Sequence, residues 1–137
     1  MHFAWLSRWQ PQLLAVLRIV AAFLFIAHGT VKLFGFPLAI PMPEIPPLLI
    51  AAGMIELVAG GLILIGLFTR LAAFIASGQM AAAYWMGHAP QHLWPVANEG
   101  DAAILYCFIF LYIAFAGGGP WSVDAKLRRT GRVPAWA

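Results

Sequence analysis

The chain has 137 residues, of which 63% are hydrophobic and 9% charged, with a formal net charge of +3 and a mean hydropathy of +0.86. An ordinary soluble domain carries about a quarter charged residues, and a globule this small has too little interior to hide so much apolar surface, so the bilayer is the expected solvent. Half of the basic residues (Lys126, Arg128, Arg129 and Arg132) sit in one tail beside the apolar core, which fits a membrane surface and argues against nucleic acid.

The first apolar run covers about 11–34, long enough to cross ~30 Å of hydrocarbon. It is read as a retained helix, since its apolar stretch exceeds the ~7–15 residues of a signal peptide and three further runs follow. The segment GFPLAIPMPEIPP, with Pro37, Pro41, Pro43, Pro46 and Pro47, then breaks the chain. A second run covers about 48–68, Thr69-Arg70 makes a very short turn, and an alanine-rich third run covers 71–87. HAPQHLWPVANEG breaks the chain again before a fourth run over 101–116, which Gly117, Gly118, Gly119 and Pro120 end; a basic tail occupies 122–137. The expected fold is a single all-α domain, an integral membrane antiparallel four-helix bundle. Arg8, Arg70 and the tail fall on one side of such a chain and Glu44 and Glu99 on the other. The positive-inside rule therefore predicts two cytoplasmic termini and places His28, Lys32, His88 and His92 toward the outer face.

Arg18, His28, Lys32 and Glu56 interrupt otherwise apolar runs, where each strongly charged group costs at least ~2.5–3.5 kcal/mol unless it finds a partner or water. His28 and Lys32 share a helix face one turn apart, and Arg18 lies about 80° around from His28. With the runs placed symmetrically, Glu56 falls near the midplane, His28 roughly 7 Å outward and Arg18 roughly 7 Å inward. Glu56 is then expected to reach His28, or Arg18 if that side chain extends. The set, joined by His88, predicts a polar pocket in the outer half of the bundle, with Glu56 more sensitive to loss than Lys32, which has water nearby. Asp101, ahead of the fourth run, either caps that helix or pairs with Lys32 to close the pocket. Gly53, Gly60, Gly61 and the alanines of the third run are expected packing surfaces. Gln79 is polar enough to join the interior network, and Tyr84, Tyr106 and Tyr112 could shape a cavity for a flat ligand.

Several of these features coincide. Arg18, His28-Gly29 with Lys32, Glu56 with Gly60-Gly61, Gly66 before Thr69-Arg70, Ala83-Tyr84, His88, Trp94-Pro95, Asn98, Gly100 and a closing glycine run with Pro120, Ser122 and Asp124 stand in order. In this the chain resembles the DoxX family of small prokaryotic membrane proteins, from about Leu14 to Ala125. It departs at Asp101, where the pattern usually has glutamate, and His92 lies outside the pattern. The resemblance implies a four-helix, multi-pass inner-membrane protein linked to redox processes, with redox partner proteins. A second copy of the chain is the other protein partner left open.

For chemistry, a quinone-linked subunit comes first. A quinone site needs an apolar slot, hydrogen-bond donors and a proton route; His28 and Lys32 could donate, Glu56 could relay protons, and Phe34, Tyr84 and Trp85 could line the slot. A haem or metal site is the weaker option: His28 and His88 lie at similar depths, but Pro90 is expected to push Ala89 out of helical geometry and spoil a His88/His92 ligand pair. Cys107 is alone, which removes thiol–disulfide exchange. A non-catalytic scaffold or small-solute carrier stays open beside these, because no nucleophile, nucleotide loop or metal cluster stands in the sequence.

Overall fold

The computed structural model describes residues 3–132, and these form helices and loops with no strand. In chain order the helices are α1 (Ala4–Ser7), α2 (Gln10–Phe34), α3 (Pro47–Ile65), α4 (Thr69–Ala83), α5 (Asp101–Ala116) and α6 (Val123–Arg129), with a π-helical turn, Tyr84–His88, extending α4. The last five residues of the expected basic tail, 133–137, lie outside the described residues.

Proline and glycine set most of the boundaries. Pro11 sits in the first turn of α2, and Gly35, left-handed at φ 63°, ends it. The proline-rich loop cannot continue the helix, and Pro47 opens α3 in the position where its missing N–H costs nothing. Gly66 (φ 74°) ends α3, its N–H and that of Leu67 both donating to the Leu62 carbonyl at 2.9 Å.

Two local expectations need correction. Thr69 and Arg70 are not a turn between runs: they open α4, and the turn is the stretch 66–68 before it. The reason is a distant cap. Asp124 accepts from the amide N–H groups of Phe68 and Thr69 at 2.9 Å and from the Thr69 hydroxyl at 2.7 Å, satisfying the start of α4 from outside its own sequence neighbourhood. Nor does Pro90 drive Ala89 out of helical geometry, since Ala89 stays right-handed at φ −57°, ψ −34°. The π turn, closed by Ala89 N–H on the Tyr84 carbonyl at 2.8 Å, holds it there. The helix still stops at His88, so His92 does not continue the face of His88.

α2 packs on α3, α3 on α4, α4 on α5, and α5 back on α2. The rings of Phe25, Tyr106 and Phe110 form the centre, with Phe25 and Phe110 4.8 Å apart edge to face. Around them Ala22, Ala59, Ala72, Ala73 and Ala76 are buried and let the helices approach. The outer surface is apolar: Phe23, Val58, Phe74, Phe108 and Phe115 are all more than half exposed. α2 and α3 are long and apolar enough to cross a membrane, and α5 is apolar but shorter.

Candidate functional site

The charged side chains of the interior form two separate groups, one around Glu56 and one around Arg18 and Asp124. At one end α2 and α3 meet closely: a Cβ on Gly29 would lie 3.0 Å from the Gly53 carbonyl and 3.1 Å from the Glu56 Cβ. That closeness brings Lys32, one turn beyond His28, over Glu56. Its Nζ donates to both carboxylate oxygens at 2.6 Å, with the Glu56 side chain fully buried and that of Lys32 18% exposed. Gln79 reaches in from α4 and donates to Glu56 Oε1 at 3.2 Å. Three helices therefore converge on one carboxylate, and the short, charge-assisted contacts compensate for its burial.

Above this floor lies a cavity of about 580 Å³ walled by all four long helices. Most of its wall is apolar, from residues such as Leu49, Ile55, Met80 and Met86, and its polar groups are few: the Lys32–Glu56–Gln79 set, His28, Tyr106, His88 and Glu99. His28 and His88 are held alike. The Nδ1 of each lies against a carbonyl, Leu24 O at 2.9 Å and Asn98 O at 2.8 Å. A carbonyl only accepts, so Nδ1 carries the proton, and Nε2 is the atom each imidazole has for a ligand. The His28 ring also stands edge-on to Tyr106 at 5.7 Å.

The sequence-expected residues divide. His28, Lys32, Glu56 and His88 line the one cavity. Lys32, not His28 or Arg18, is the partner of Glu56, because the lysine chain spans the extra helical turn while His28 is tied to its own helix. Asp101 does not meet Lys32: it is exposed in the first turn of α5, and Glu99 is the acid on the cavity wall. Phe34 and Trp85 point outward at 70% and 69% exposure, and Tyr84 packs against Trp85 instead of the cavity, ring to ring at 5.4 Å. Phe25 and Tyr106 hold the aromatic places instead. Gln79 and Tyr106 were both visible as polar groups inside apolar runs, but nothing local tells which face of α4 or α5 turns inward.

Arg18 leaves the site altogether. Fully buried, it works at the opposite end, where Nε donates to Gly118 O at 2.8 Å, Nη2 to Trp121 O at 2.6 Å, and Nη1 to the carbonyls of Ile63 and Leu64. The guanidinium fork thus satisfies the last carbonyls of α3 and ties them to the segment after α5. Arg70 does the same for α5, donating to the carbonyls of Ala114 and Phe115. These are structural fastenings.

A family model described as DoxX matches residues 13–89, a stretch that holds most of α2, all of α3 and α4 and the π turn, and with them His28, Lys32, Glu56, Gln79 and His88. The chain belongs to the DoxX family. An uncharacterized protein of Haemophilus influenzae is similar to this DoxX protein, 43% identical over 127 residues, which are 88% of this chain and 95% of the relative. No solved structure matches significantly. In this DoxX protein α5, which closes the cavity with Tyr106, lies beyond the matched stretch.

Proposed function

We propose that this DoxX protein is an integral protein of the prokaryotic inner membrane, its four long helices an antiparallel bundle with both termini cytoplasmic, and that its outer-half cavity receives the ring of a quinone as part of a redox-associated membrane assembly. The membrane reading rests on the outer surface. A monomer in water rarely exposes an apolar patch beyond a few hundred Å², whereas here large side chains such as Phe23, Val58, Phe74, Phe108 and Phe115 stand outward on every long helix.

The observation that carries the ligand reading is the buried Lys32–Glu56–Gln79 set at the floor of an otherwise apolar cavity. Sites for flat lipophilic molecules have this composition: apolar walls with a few fixed polar groups that orient the ring. A quinone carbonyl accepts hydrogen bonds, and Lys32 Nζ and the Tyr106 hydroxyl are donors on the wall. Reduction of the ring takes up protons, and Lys32, Glu56 and the His28 Nε2 are groups that can pass them. A non-catalytic scaffold would have no need of a cavity floored by a buried ion pair, so the ligand-binding reading is preferred to it.

The test is a titration of the purified protein in micelles with the tail-less ubiquinone ring. The wild type should bind saturably, and His28→Phe and Lys32→Met should each weaken binding about tenfold or more, the loss of one well-placed polar contact. Equal binding by all three proteins would remove the cavity from the account.

A further inference from the structure

A second hollow adjoins the cavity. Ile55 on α3 and Ile75 on α4 line the cavity, and the same two residues line the hollow, a groove of about 320 Å³ between these helices. From that shared pair the groove runs past Val58 and Leu62 of α3 and Leu71 of α4 toward Phe68 in the connecting turn. The stretch from Ile55 to Leu62 is ~10 Å long at 1.5 Å per residue. Every side chain lining it is apolar. Ala59 and Ala72 form its buried floor, and their small size makes the room; Val58 and Leu71 on the rim are 65% and 63% exposed, so the groove is open along its length to whatever surrounds the helices.

We infer that the ligand site has two parts, a ring seat at the Lys32–Glu56–Gln79 floor and a tail seat in this groove, with the tail passing between Ile55 and Ile75. The inference rests on the quinone-ring reading of the cavity and adds the class of ligand: a ring carrying an isoprenoid or long alkyl tail, which enters from the side between α3 and α4. The cavity's own mouth favours a tail less. There Leu48 and Met86, 60% and 61% exposed, stand beside His88 and Glu99, so an apolar chain would lie partly against an imidazole and a carboxylate. The groove offers only apolar contact and adjoins the ring seat at Ile55 and Ile75, so a tail laid there stays out of water and adds to affinity.

A photoprobe tests this on the full-length protein in micelles: a benzoquinone with a decyl chain ending in a diazirine, competed by the same decyl quinone without the diazirine. The label should map to Val58, Leu62 or Leu71 and be suppressed by the competitor. In parallel, Val58→Trp, placed on the exposed rim where it does not disturb the core, should lower affinity for decyl quinone by roughly 10–100-fold, as expected when a few methylenes lose their apolar seat, and leave affinity for the tail-less ring unchanged. Suppressible label at Leu48, Met86 or Ala102 would overturn the tail path while leaving the ring seat standing. Groove label that the competitor does not reduce would mean that bulk lipid chains occupy it, and would overturn the inference too, as would equal affinity of Val58→Trp and wild type for the decyl quinone. Absence of saturable ring binding in the wild type would take down the ring reading, and this inference with it.

Discussion

Lys32 and Glu56 differ in what each leaves behind when it is lost. Placed by depth alone, Glu56 ranks as the more sensitive, because a lysine near the outer interface has water as a substitute. The contacts reverse that order. Glu56→Gln keeps the size of the side chain, still accepts from Lys32, and leaves a lysine that is 18% exposed. Lys32→Met leaves a fully buried carboxylate with the Gln79 amide as its remaining partner. Breaking a buried charged pair in this way costs about 3–5 kcal/mol, against about 1–2 kcal/mol for weakening a hydrogen bond. Unfolding in mixed micelles should therefore rank Lys32→Met well below Glu56→Gln, with the double substitution recovering much of the loss. If Lys32→Met proves the milder change, the pair is not buried as described. The polar residues themselves stood out in the sequence, because ionisable groups in apolar runs are expensive. Their pairing did not, since the reach of a lysine along its own helix and the tie of His28 to Leu24 are settled only by the crossing of α2 on α3.

Helices show the same division between what is local and what is not. The bounds of α2 and α5 followed closely from apolar length and from the prolines and glycines beside them. The start of α4 did not, because its cap is Asp124, and the π turn has no signature in composition. Arg18 read as a candidate pocket charge because its acceptors are backbone carbonyls, which no side-chain pattern announces. Its fork holds four of them, and the point charge of a lysine cannot reproduce that geometry. Arg18→Lys should thus destabilise the fold by roughly 2–4 kcal/mol, the cost of buried acceptors left unpaired, while quinone-ring affinity of the protein that remains folded stays at the wild-type level. A selective loss of affinity without loss of stability would put Arg18 back in the site. Gly66 belongs to the same fastening: at φ 74° a Cβ there would stand 2.4 Å from the Ser122 Cβ. Gly66→Ala should accordingly lower stability and leave the cavity floor untouched, which thermal unfolding and ring titration together would show.

Taken whole, the molecule separates its two tasks by end. Arg18, Arg70 and Asp124 knit helix termini together at one end, and the cavity with His28, Lys32 and Glu56 lies toward the other. The basic residues Arg70, Lys126 and Arg129 share the knitted end with its helix termini, so the positive-inside rule orients the proposed bundle with the cavity outward. A reporter fused after Ala137 should then be active only in its cytoplasmic form; periplasmic activity would invert the orientation. The ligand is the claim on which the rest depends, and the most direct measurement is extraction of the small molecules bound to protein purified from its own membranes. A tailed quinone is expected in amounts comparable to the protein, depleted in the Lys32→Met form. Wild-type protein that carries no quinone, and takes none up when it is supplied, would contradict that claim.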